Sequence, residues 1–575
     1  MMTLPTFSNM DINHFPERLH ALLETNQSKI KELLNSASAY TWDNLMGPLD
    51  DMEDELERIW SPLSHLHAVT NSTALRKCYK ACLPLLSAYE AAIGHNQVLF
   101  SAIKSLDKST LNPTQCKIID DTIRDFKLSG VALSTEKKQR FEAISARLSE
   151  LSNQFETHIL DAVNDYQLHI TNEARLAGLP EHALHNAQAL AKEKELPGWI
   201  LTLETPCYLA VVTHAQDRSL REELYKAFAT RASDQGPSAG KFDNTPVMNE
   251  MLALRHEKAQ LLGFSNYAEL SLATKMAEST NDVLSFLNDL SKRAYPQAKI
   301  EFEKLKAFAS EELGLSTLEP WDIAYASEKK LQTRYAISQE ALRAYFPLPT
   351  VMQGLFSIIK TLYGMTLEEV NNIDTWHSDV QCYRITDSEN KARGYIYIDL
   401  FARPHKRGGA WMDSCQTRRR LADGTIQLPI ATLTCNFAKA AANQPPTLSH
   451  DEVLTLFHEF GHCLHHVLTR VDYLSASGIS GVEWDAVELP SQFFENWCWD
   501  EHALQLLTAH VDTGEPLPAA LYSKLIAAKN FQSAMGMMRQ LEFSLFDFRI
   551  HHEYEASKPT FISNILNDVR KQTAV

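Results

Sequence analysis

The feature that most constrains this chain is a five-residue pattern, HEFGH, at residues 458–462. If the surrounding run is helical, His458 and His462 lie one turn apart on the same face, so both imidazoles can direct a ring nitrogen to one point. Glu459 is next along the helix and leans toward the same site, where its carboxylate could deprotonate a water held by a metal. The pattern therefore predicts a zinc site with a general base, the arrangement of a metallopeptidase.

The flanking residues predict that this run is a helix. Ser449 is followed three residues later by Glu452, which is the spacing of a capping box and begins a helix just before the motif. Apolar residues then recur at helical spacing, which would bury one side of the helix and hold ligands rigidly. These residues are Val453, Leu454, Phe457, Leu464, Val467 and Leu468. The plainer alternative is a buried helix whose histidines only make hydrogen bonds.

A third metal ligand is required, because catalytic zinc usually takes three protein ligands and leaves a fourth position for water. Four acidic residues after the motif are chemically able to supply it. They are Glu483, Asp485, Glu488 and Glu495. Gly478 and Gly481 suit a loop that returns a second helix to the first, and Pro490 suits that helix's first turn or a kink. Spacing alone does not choose among the four acids.

Helical periodicity dominates the chain outside the motif. From about residue 134 to 170, apolar residues recur every three or four positions, which predicts one long helix. The composition changes near residues 196–198. Residues 199–203 and 208–213 then carry apolar and β-branched runs around Pro206, and we expect two short strands there.

A small β-sheet is predicted just before the metal helix. Residues 380–402 and 427–437 carry β-branched and aromatic runs with turn residues between them. An exposed sheet edge can bind an extended peptide as an added strand, through main-chain hydrogen bonds. The run at residues 429–435 is the best candidate edge, although an ordinary covered strand explains the same composition. Its candidate substrate-binding residues are Ile430, Ala431, Thr432 and Leu433.

The composition limits the class and compartment of the protein. A formal net charge of −17 argues against a broad nucleic-acid surface, and no stretch is long and apolar enough to span a membrane. The nine cysteines contain no CxxC pair, which argues against a disulfide framework and favours a reducing compartment. The N-terminus lacks the apolar core of a signal peptide. We expect a cytoplasmic monomer that binds neither nucleic acid nor membrane.

The residues around the motif carry a resemblance to a known family. The run HEFGHCLHH, followed by GISGVEWDAVELPSQFFENW, is similar to the thimet oligopeptidase family of zinc metallopeptidases. Other runs, such as LRHEKAQLLGF, PWDIAYASEKK and GYIYIDLFARPHKRGGAW, extend the similarity over most of the chain. The resemblance implies one zinc ion per chain, held by His458, His462 and Glu488, with Glu459 as the general base. It also makes Asp485 a candidate for orienting a ligating imidazole.

The resemblance also implies a fold and a substrate class. The family has a mainly α, two-lobed zincin-type fold with a deep narrow channel, and here a small sheet is expected beside the metal helix. We place a helical N-terminal lobe at 1–195, a mostly helical middle region at 196–375 and a catalytic region at 376–575. Such a channel admits short unstructured peptides and excludes folded proteins. The implied activity is cleavage of oligopeptides, such as fragments from signal-peptide or protein turnover.

One part of the family pattern has no match in this chain. Family members continue with a glycine- and tyrosine-rich C-terminal segment that reaches over the zinc, binds substrate and stabilises the oxyanion, whereas no glycine follows Gly536 here. Loss of one oxyanion donor commonly lowers the rate by ~10²–10³. We therefore expect zinc binding with strongly reduced turnover. The alternative is a catalytically silent homologue that still binds zinc and peptides.

Overall fold

The computed structural model describes residues 4–36, 39–440, 445–556 and 560–575, and α-helices dominate these ranges. The helices are α1 (Phe15–Ser36), α2 (Gly47–Val69), α3 (Thr73–Gly94), α4 (Gln97–Lys104), α5 (Pro113–Leu128), α6 (Thr135–Asp165), α7 (Glu181–Glu193), α8 (Thr205–His214), α9 (Arg218–Ala229), α10 (Thr245–Leu261), α11 (Tyr267–Leu272), α12 (Thr280–Leu313), α13 (Ile323–Tyr335), α14 (Gln339–Arg343), α15 (Leu348–Tyr363), α16 (His450–Val467), α17 (Leu489–Glu495), α18 (Glu501–Leu507), α19 (Ala519–Ala528), α20 (Ser533–His552) and α21 (Phe561–Thr573). The strands are β1 (Gln167–Ile170), β2 (Trp199–Thr202), β3 (Thr366–Glu369), β4 (Gln381–Thr386), β5 (Ala392–Phe401), β6 (Trp411–Gln416), β7 (Arg419–Arg420), β8 (Ile426–Gln427) and β9 (Ile430–Phe437). The predicted mainly helical fold with a small sheet is confirmed. Among the described residues, no helix combines the length and the apolar composition that a bilayer crossing requires.

The long helix expected near residues 134–170 is α6, which begins after Ser134. The Ser134 hydroxyl accepts a hydrogen bond from the backbone N–H of Lys137, as an N-cap does. The last four residues of the predicted helix form β1 instead, which pairs antiparallel with β2 so that Gln167 lies opposite Thr202. The two paired strands lie on opposite sides of the boundary predicted at residue 195. The division of the chain into three regions stays a prediction.

The second strand expected around Pro206 is wrong, because residues 208–213 lie within α8. Pro206 occupies the first turn of this helix, where its missing N–H has no partner to lose. Val211 and Val212 are buried. A short buried apolar run has the same composition in a helix as in a strand, so periodicity could not separate the two.

The five-stranded sheet has the order β3-β4-β5-β9-β6, so β9 is an inner strand. It pairs parallel with β5, where Ile398 lies opposite Leu433, and antiparallel with β6, where Met412 lies opposite the same residue. The prediction that Ile430, Ala431, Thr432 and Leu433 form a peptide-binding edge is therefore wrong, because neighbouring strands flank their backbone on both sides. The edge strand on this side of the sheet is β6. Helix α2 contacts this edge strand, because Ser61 Oγ of α2 donates a hydrogen bond to Ser414 O of β6 at 2.9 Å.

A buried ion pair fixes the ends of β5 and β9. Asp399 and Lys406 are both fully buried, with Nζ 2.8 Å from Oδ1, and the same Nζ donates to the carbonyls of Phe401 at 2.8 Å and Cys435 at 2.6 Å. Burial alone would raise the pKa of Asp399, but hydrogen bonds from Arg403 and the charge of Lys406 hold it at about 2. The two strands next to the metal helix are therefore joined by a charge-assisted network.

The largest core cluster lies between this sheet and α16. Phe457 and Phe460 of α16 are fully buried, and they belong to one cluster with Ile398 of β5 and Leu433 of β9. Phe457 also stacks on Phe494 of α17, with ring centroids 5.1 Å apart. The helix that carries the motif is thus held by packing against the sheet and against α17.

Candidate metal centre

Helix α16 begins with the predicted capping box. The Ser449 N–H donates to Oε2 of Glu452 at 2.7 Å, and the Glu452 N–H donates to Oγ of Ser449 at 3.1 Å. Arg343 also donates to Glu452 Oε2, at 2.8 Å. These bonds satisfy backbone groups that a helix start leaves open, so α16 starts at a defined residue and runs through the motif.

The structure brings three of the predicted residues together. The Nε2 atoms of His458 and His462 each lie 3.1 Å from Oε2 of Glu488. The two imidazole rings are 5.0 Å apart and nearly perpendicular. One atom from each residue lies within 4.8 Å of the others, the spacing of a metal-binding group. Glu488 is half-exposed, which leaves the group accessible from solvent.

A glycine in the motif allows this approach. A Cβ atom on Gly461 would lie 2.6 Å from Cα of Ser491 and 2.9 Å from the carbonyl oxygen of Pro490, so the backbones of α16 and α17 touch at this point. Ser491 Oγ donates to Glu488 Oε2 at 2.9 Å, and to the Glu488 carbonyl at 2.8 Å. As expected, Pro490 lies in the first turn of α17. Close packing of two helices therefore delivers Glu488 to the histidines.

The loop between the two helices depends on a second glycine. Gly478 has a φ of +64°, and a Cβ atom there would lie 2.6 Å from Nδ1 of His466. Only glycine combines this backbone conformation with so close an approach to α16. The chain can therefore turn back tightly toward the helix that it has just left.

The group that orients the imidazole of His458 is Glu495, at the end of α17. Its Oε1 lies 2.7 Å from Nδ1 of His458, which fixes the ring and directs Nε2 toward Glu488. The prediction for Asp485 is corrected, because its carboxylate accepts the backbone N–H groups of Met276 at 2.9 Å and Ala277 at 3.0 Å. The signal for Glu495 is its position seven residues after Glu488, two helical turns along the same face.

Glu459 is almost completely buried beside this group. Burial raises the pKa of Glu459 to about 7; His458 lowers it and Glu488 raises it further. A carboxyl group in this range can take up and release a proton near neutral pH. The remaining predicted acid, Glu483, lies 3.5 Å from Lys117 and belongs to a surface ion pair.

The donor set fits a cation. Burial lowers the pKa of His462, opposed by Glu488, so the imidazole is neutral and ready to act as a ligand. Glu495 lies at Nδ1 of His458, so the neutral tautomer that donates to Glu495 presents the lone pair of Nε2 toward Glu488. With the protons of both rings on Nδ1, two nitrogen lone pairs face one carboxylate oxygen at 3.1 Å, and a positive charge among them removes their repulsion. Two imidazole nitrogens and one carboxylate are also the ligand types that zinc takes in hydrolytic sites.

The chain matches two family models. One is described as Peptidase family M3 and matches residues 211–575, which is more than half of the chain. The other is described as the N-terminal domain of neurolysin and thimet oligopeptidase and matches residues 19–138. The two matches agree with the family that the sequence resembles.

Similar proteins include oligopeptidase A of Salmonella typhimurium, 51% identical over 577 residues, and that of Escherichia coli, 50% identical over 576 residues; both alignments cover 100% of this chain and 85% of the relative. A probable cytosolic oligopeptidase A of Arabidopsis thaliana is 36% identical, with 96% of this chain and 80% of the relative covered. The expected reduction in turnover stays a prediction.

Solved structures show the same fold at low sequence identity. A structure described as oligoendopeptidase F of Bacillus anthracis has a TM-score of 0.55 at 12% identity and covers 100% of this chain and 84% of its own. The structure of PZ peptidase A with inhibitor 2 has a TM-score of 0.53 at 13% identity, with 99% and 80% covered. This fold agrees with the family match over residues 211–575 and with the oligopeptidase A relatives, which are 50–51% identical. The family match and these relatives show that the chain belongs to peptidase family M3 and is a metalloendopeptidase of the oligopeptidase type.

Proposed function

We propose that this chain is a zinc-dependent endopeptidase that cleaves short, unstructured peptides. The observation that carries the proposal is the placement of the Nε2 atoms of His458 and His462, each 3.1 Å from the same oxygen of Glu488. The oligopeptidase A relatives support peptides of modest length as the substrate class. In this proposal His458, His462 and Glu488 are the zinc ligands and Glu459 is the general base.

Each residue has a separate task in the proposed reaction. A zinc ion bound by the three ligands would supply a positive charge that makes water more acidic and polarises the scissile carbonyl. Glu459 accepts the proton of the attacking water on its carboxylate and passes it to the nitrogen of the leaving amine. Glu495 holds the Nδ1 proton of His458, and Ser491 holds Oε2 of Glu488, so both ligands keep their orientation during the reaction.

We also propose that the protein works in the cytoplasm. All nine cysteines are unpaired thiols, and most of them are buried. Free thiols persist in a reducing compartment, whereas an oxidising one favours disulfides. Action as a monomer stays a prediction.

The proposal is tested by zinc content and peptide cleavage measured on the same samples. We expect one zinc per chain after dialysis, and cleavage of an internally quenched peptide that a chelator abolishes. Glu459→Gln should keep the zinc and lose the cleavage, because the general base is removed while the ligands remain. Glu488→Gln should lose both, because a neutral amide is a poor zinc ligand.

Glu483→Gln is the matched control, since it makes the same change five residues before Glu488 in an exposed ion pair. It should leave zinc content and cleavage unchanged. One zinc per chain without cleavage would favour the silent peptide-binding alternative. Full zinc occupancy in Glu488→Gln would contradict the ligand assignment.

A further inference from the structure

A cavity beside the segment that carries Glu488 has no part in the proposed chemistry. Its volume is about 730 Å³, within the ~300–1000 Å³ typical of ligand sites. Its walls come from α10, α11, α12 and α20, and it is also lined by Asp485, three residues before Glu488. The cavity and the candidate metal centre therefore share one segment of backbone.

Most of the cavity wall is apolar. Tyr267, Leu272, Val283, Phe286 and Phe548 line it from three helices. Phe286 is 62% exposed, so a large aromatic face remains uncovered by the protein itself. Such a wall fits an apolar or aromatic side chain, because contact would remove apolar surface of both the ligand and the wall from water and so stabilise the complex.

Two cations line this cavity, Arg255 and Lys275, and the described residues give neither of them an ion pair with a carboxylate. Arg255 is half-buried, its Nη1 lies 2.8 Å from Nε2 of His551, and its guanidinium carbon is 5.3 Å from the centre of the Tyr267 ring. Within the described ranges, no carboxylate forms an ion pair with Arg255. The guanidinium group has five N–H donors, and most of them remain available for a ligand.

The histidine beside Arg255 does not neutralise this charge. Nδ1 of His551 lies 2.8 Å from the carbonyl oxygen of Asp547, so Nδ1 carries the proton and Nε2 accepts from Arg255. Burial lowers the pKa of His551, opposed by Asp547, which agrees with a neutral ring. The Asp547 side chain is 77% exposed and therefore solvated.

The other charged groups of the cavity already have partners. Lys275 Nζ donates to the carbonyl and the hydroxyl of Ser271, both at 2.8 Å. Asp485 accepts the backbone N–H groups already described, and Asp282 accepts a hydrogen bond from Ser279 Oγ at 2.7 Å. Lys275 already directs two of its three N–H donors to Ser271, whereas Arg255 has one recorded hydrogen bond, so Arg255 offers a ligand more free donors. Its planar guanidinium group is also suited to a carboxylate.

We propose that this cavity binds the C-terminal end of a peptide, with the terminal carboxylate on Arg255 and the apolar side chain of the last residue against the aromatic wall. The inference rests on the proposed function, because it takes peptides as the substrate class, and adds a preference for a free, apolar C-terminus. A carboxylate could also come from an acidic side chain. The test separates the two sources.

The test compares peptides that differ only at the C-terminus. Binding of an N-terminally labelled peptide ending in phenylalanine is measured by fluorescence anisotropy, as the free acid and as the amide. The protein is the full chain with zinc present and with Glu459→Gln, which blocks cleavage. We expect the free acid to bind about 10–100-fold more tightly than the amide, the range for a charge-assisted hydrogen bond. A third peptide, with an amidated end and a glutamate before the phenylalanine, reports binding through a side chain.

Arg255→Gln should bring the ratio of acid to amide affinity close to one, whereas Arg255→Lys should keep part of it. Arg293→Gln is the control, because Arg293 is 76% exposed and pairs with Asp289 outside the cavity. Val283→Trp leaves Arg255 in place but fills the cavity, so it should weaken both peptides. This second variant keeps the test decisive if Arg255→Gln does not fold.

Equal binding of acid and amide to the parent chain would overturn the inference, and so would an unchanged ratio in Arg255→Gln. Tight binding of the glutamate peptide, equal to that of the free acid, would assign Arg255 to side-chain carboxylates instead of the terminus. Cleavage of the amidated peptide by the chain without Glu459→Gln reports on the proposed function alone. The two proposals therefore fail on different measurements.

Discussion

Adding one methyl group to Gly461 should weaken metal binding more than any surface change near the site. In Gly461→Ala the new Cβ would lie 2.6 Å from Cα of Ser491 and 3.1 Å from its nitrogen. Carbon atoms normally approach to ~3.5–4.0 Å, so a gap of about 1 Å must open. The opposing atoms are backbone, and no side-chain rotation can relieve the contact. The start of α17 must therefore move away from α16.

The expected loss of zinc affinity follows from how little the ligand distances of a metal site can change. Ligand distances in such sites vary by about 0.2 Å, whereas a shift of about 1 Å at Ser491 displaces Glu488, three residues earlier. The same shift would lengthen the hydrogen bond between Glu495 and His458. Loss of an orienting partner alone lowers metal affinity by about 10–100-fold, and we expect at least this for Gly461→Ala. Overpacking should also lower the free energy of unfolding by about 1–3 kcal/mol.

The assay is competition for zinc against a coloured chelator, with urea unfolding measured on the same preparations. Gly536→Ala is the matched control, because Gly536 also lies inside a helix, α20, and a Cβ there would meet no atom within 4 Å. It should keep the parent zinc affinity and gain about 0.5–1 kcal/mol of stability from helix propensity. A Gly461→Ala protein that binds zinc within twofold of the parent would refute the argument that close helix packing positions Glu488.

Three further predictions follow from particular contacts. Glu495→Ala should lower zinc affinity by about 10–100-fold without unfolding the chain, measured by the same competition; an unchanged affinity would show that the bond to His458 does not orient the ring. Lys406→Met should lower the free energy of unfolding in urea by about 3 kcal/mol, because the Asp399 carboxylate and three backbone carbonyls lose a buried donor, while Lys439→Met at an exposed pair should change it little. Burial lowers the pKa of His466 from 6.5 to about 4, so the unfolded chain binds more protons between these values. The contribution of His466 to stability is therefore present above about pH 6.5 and is lost as the pH falls toward 4. The loss in free energy of unfolding is about 2 kcal/mol at pH 5. The urea midpoint of His466→Gln should therefore change less with pH across this window than the midpoint of the parent chain.

The parts of the site that local sequence determines could be predicted. The capping box of Ser449 and the apolar stripe around Phe457 are signals within one helix, and the structure has both. Delivery of Glu488 depends on the contact between Gly461 and Ser491, which joins two helices across a long loop. No local pattern encodes this contact, and only the resemblance to a family separated Glu488 from the other acids.

Tertiary pairing explains the predictions that were wrong. The inner position of β9 depends on β6, whose sequence WMDSCQ alternates too weakly to be recognised as a strand. Residues 208–213 form a helix because the run is buried against neighbouring elements, and burial hides the difference between the two periodicities. The family resemblance made Asp485 the candidate for orienting an imidazole. Glu495 has this place instead, because it lies seven residues after Glu488, two helical turns along the same face.

Helix α17 carries Glu488 at its N-cap and Glu495 at its last residue, so a single short element holds both a proposed ligand and the group that orients another. Metal occupancy and the docking of α17 are therefore linked equilibria, and each stabilises the other by the same free energy. At a metal concentration 100 times the Kd, this linkage adds about 2.7 kcal/mol to the docked state. Amide hydrogen exchange in α17 should slow when metal binds, which makes the helix a reporter of metal loading that needs no substrate.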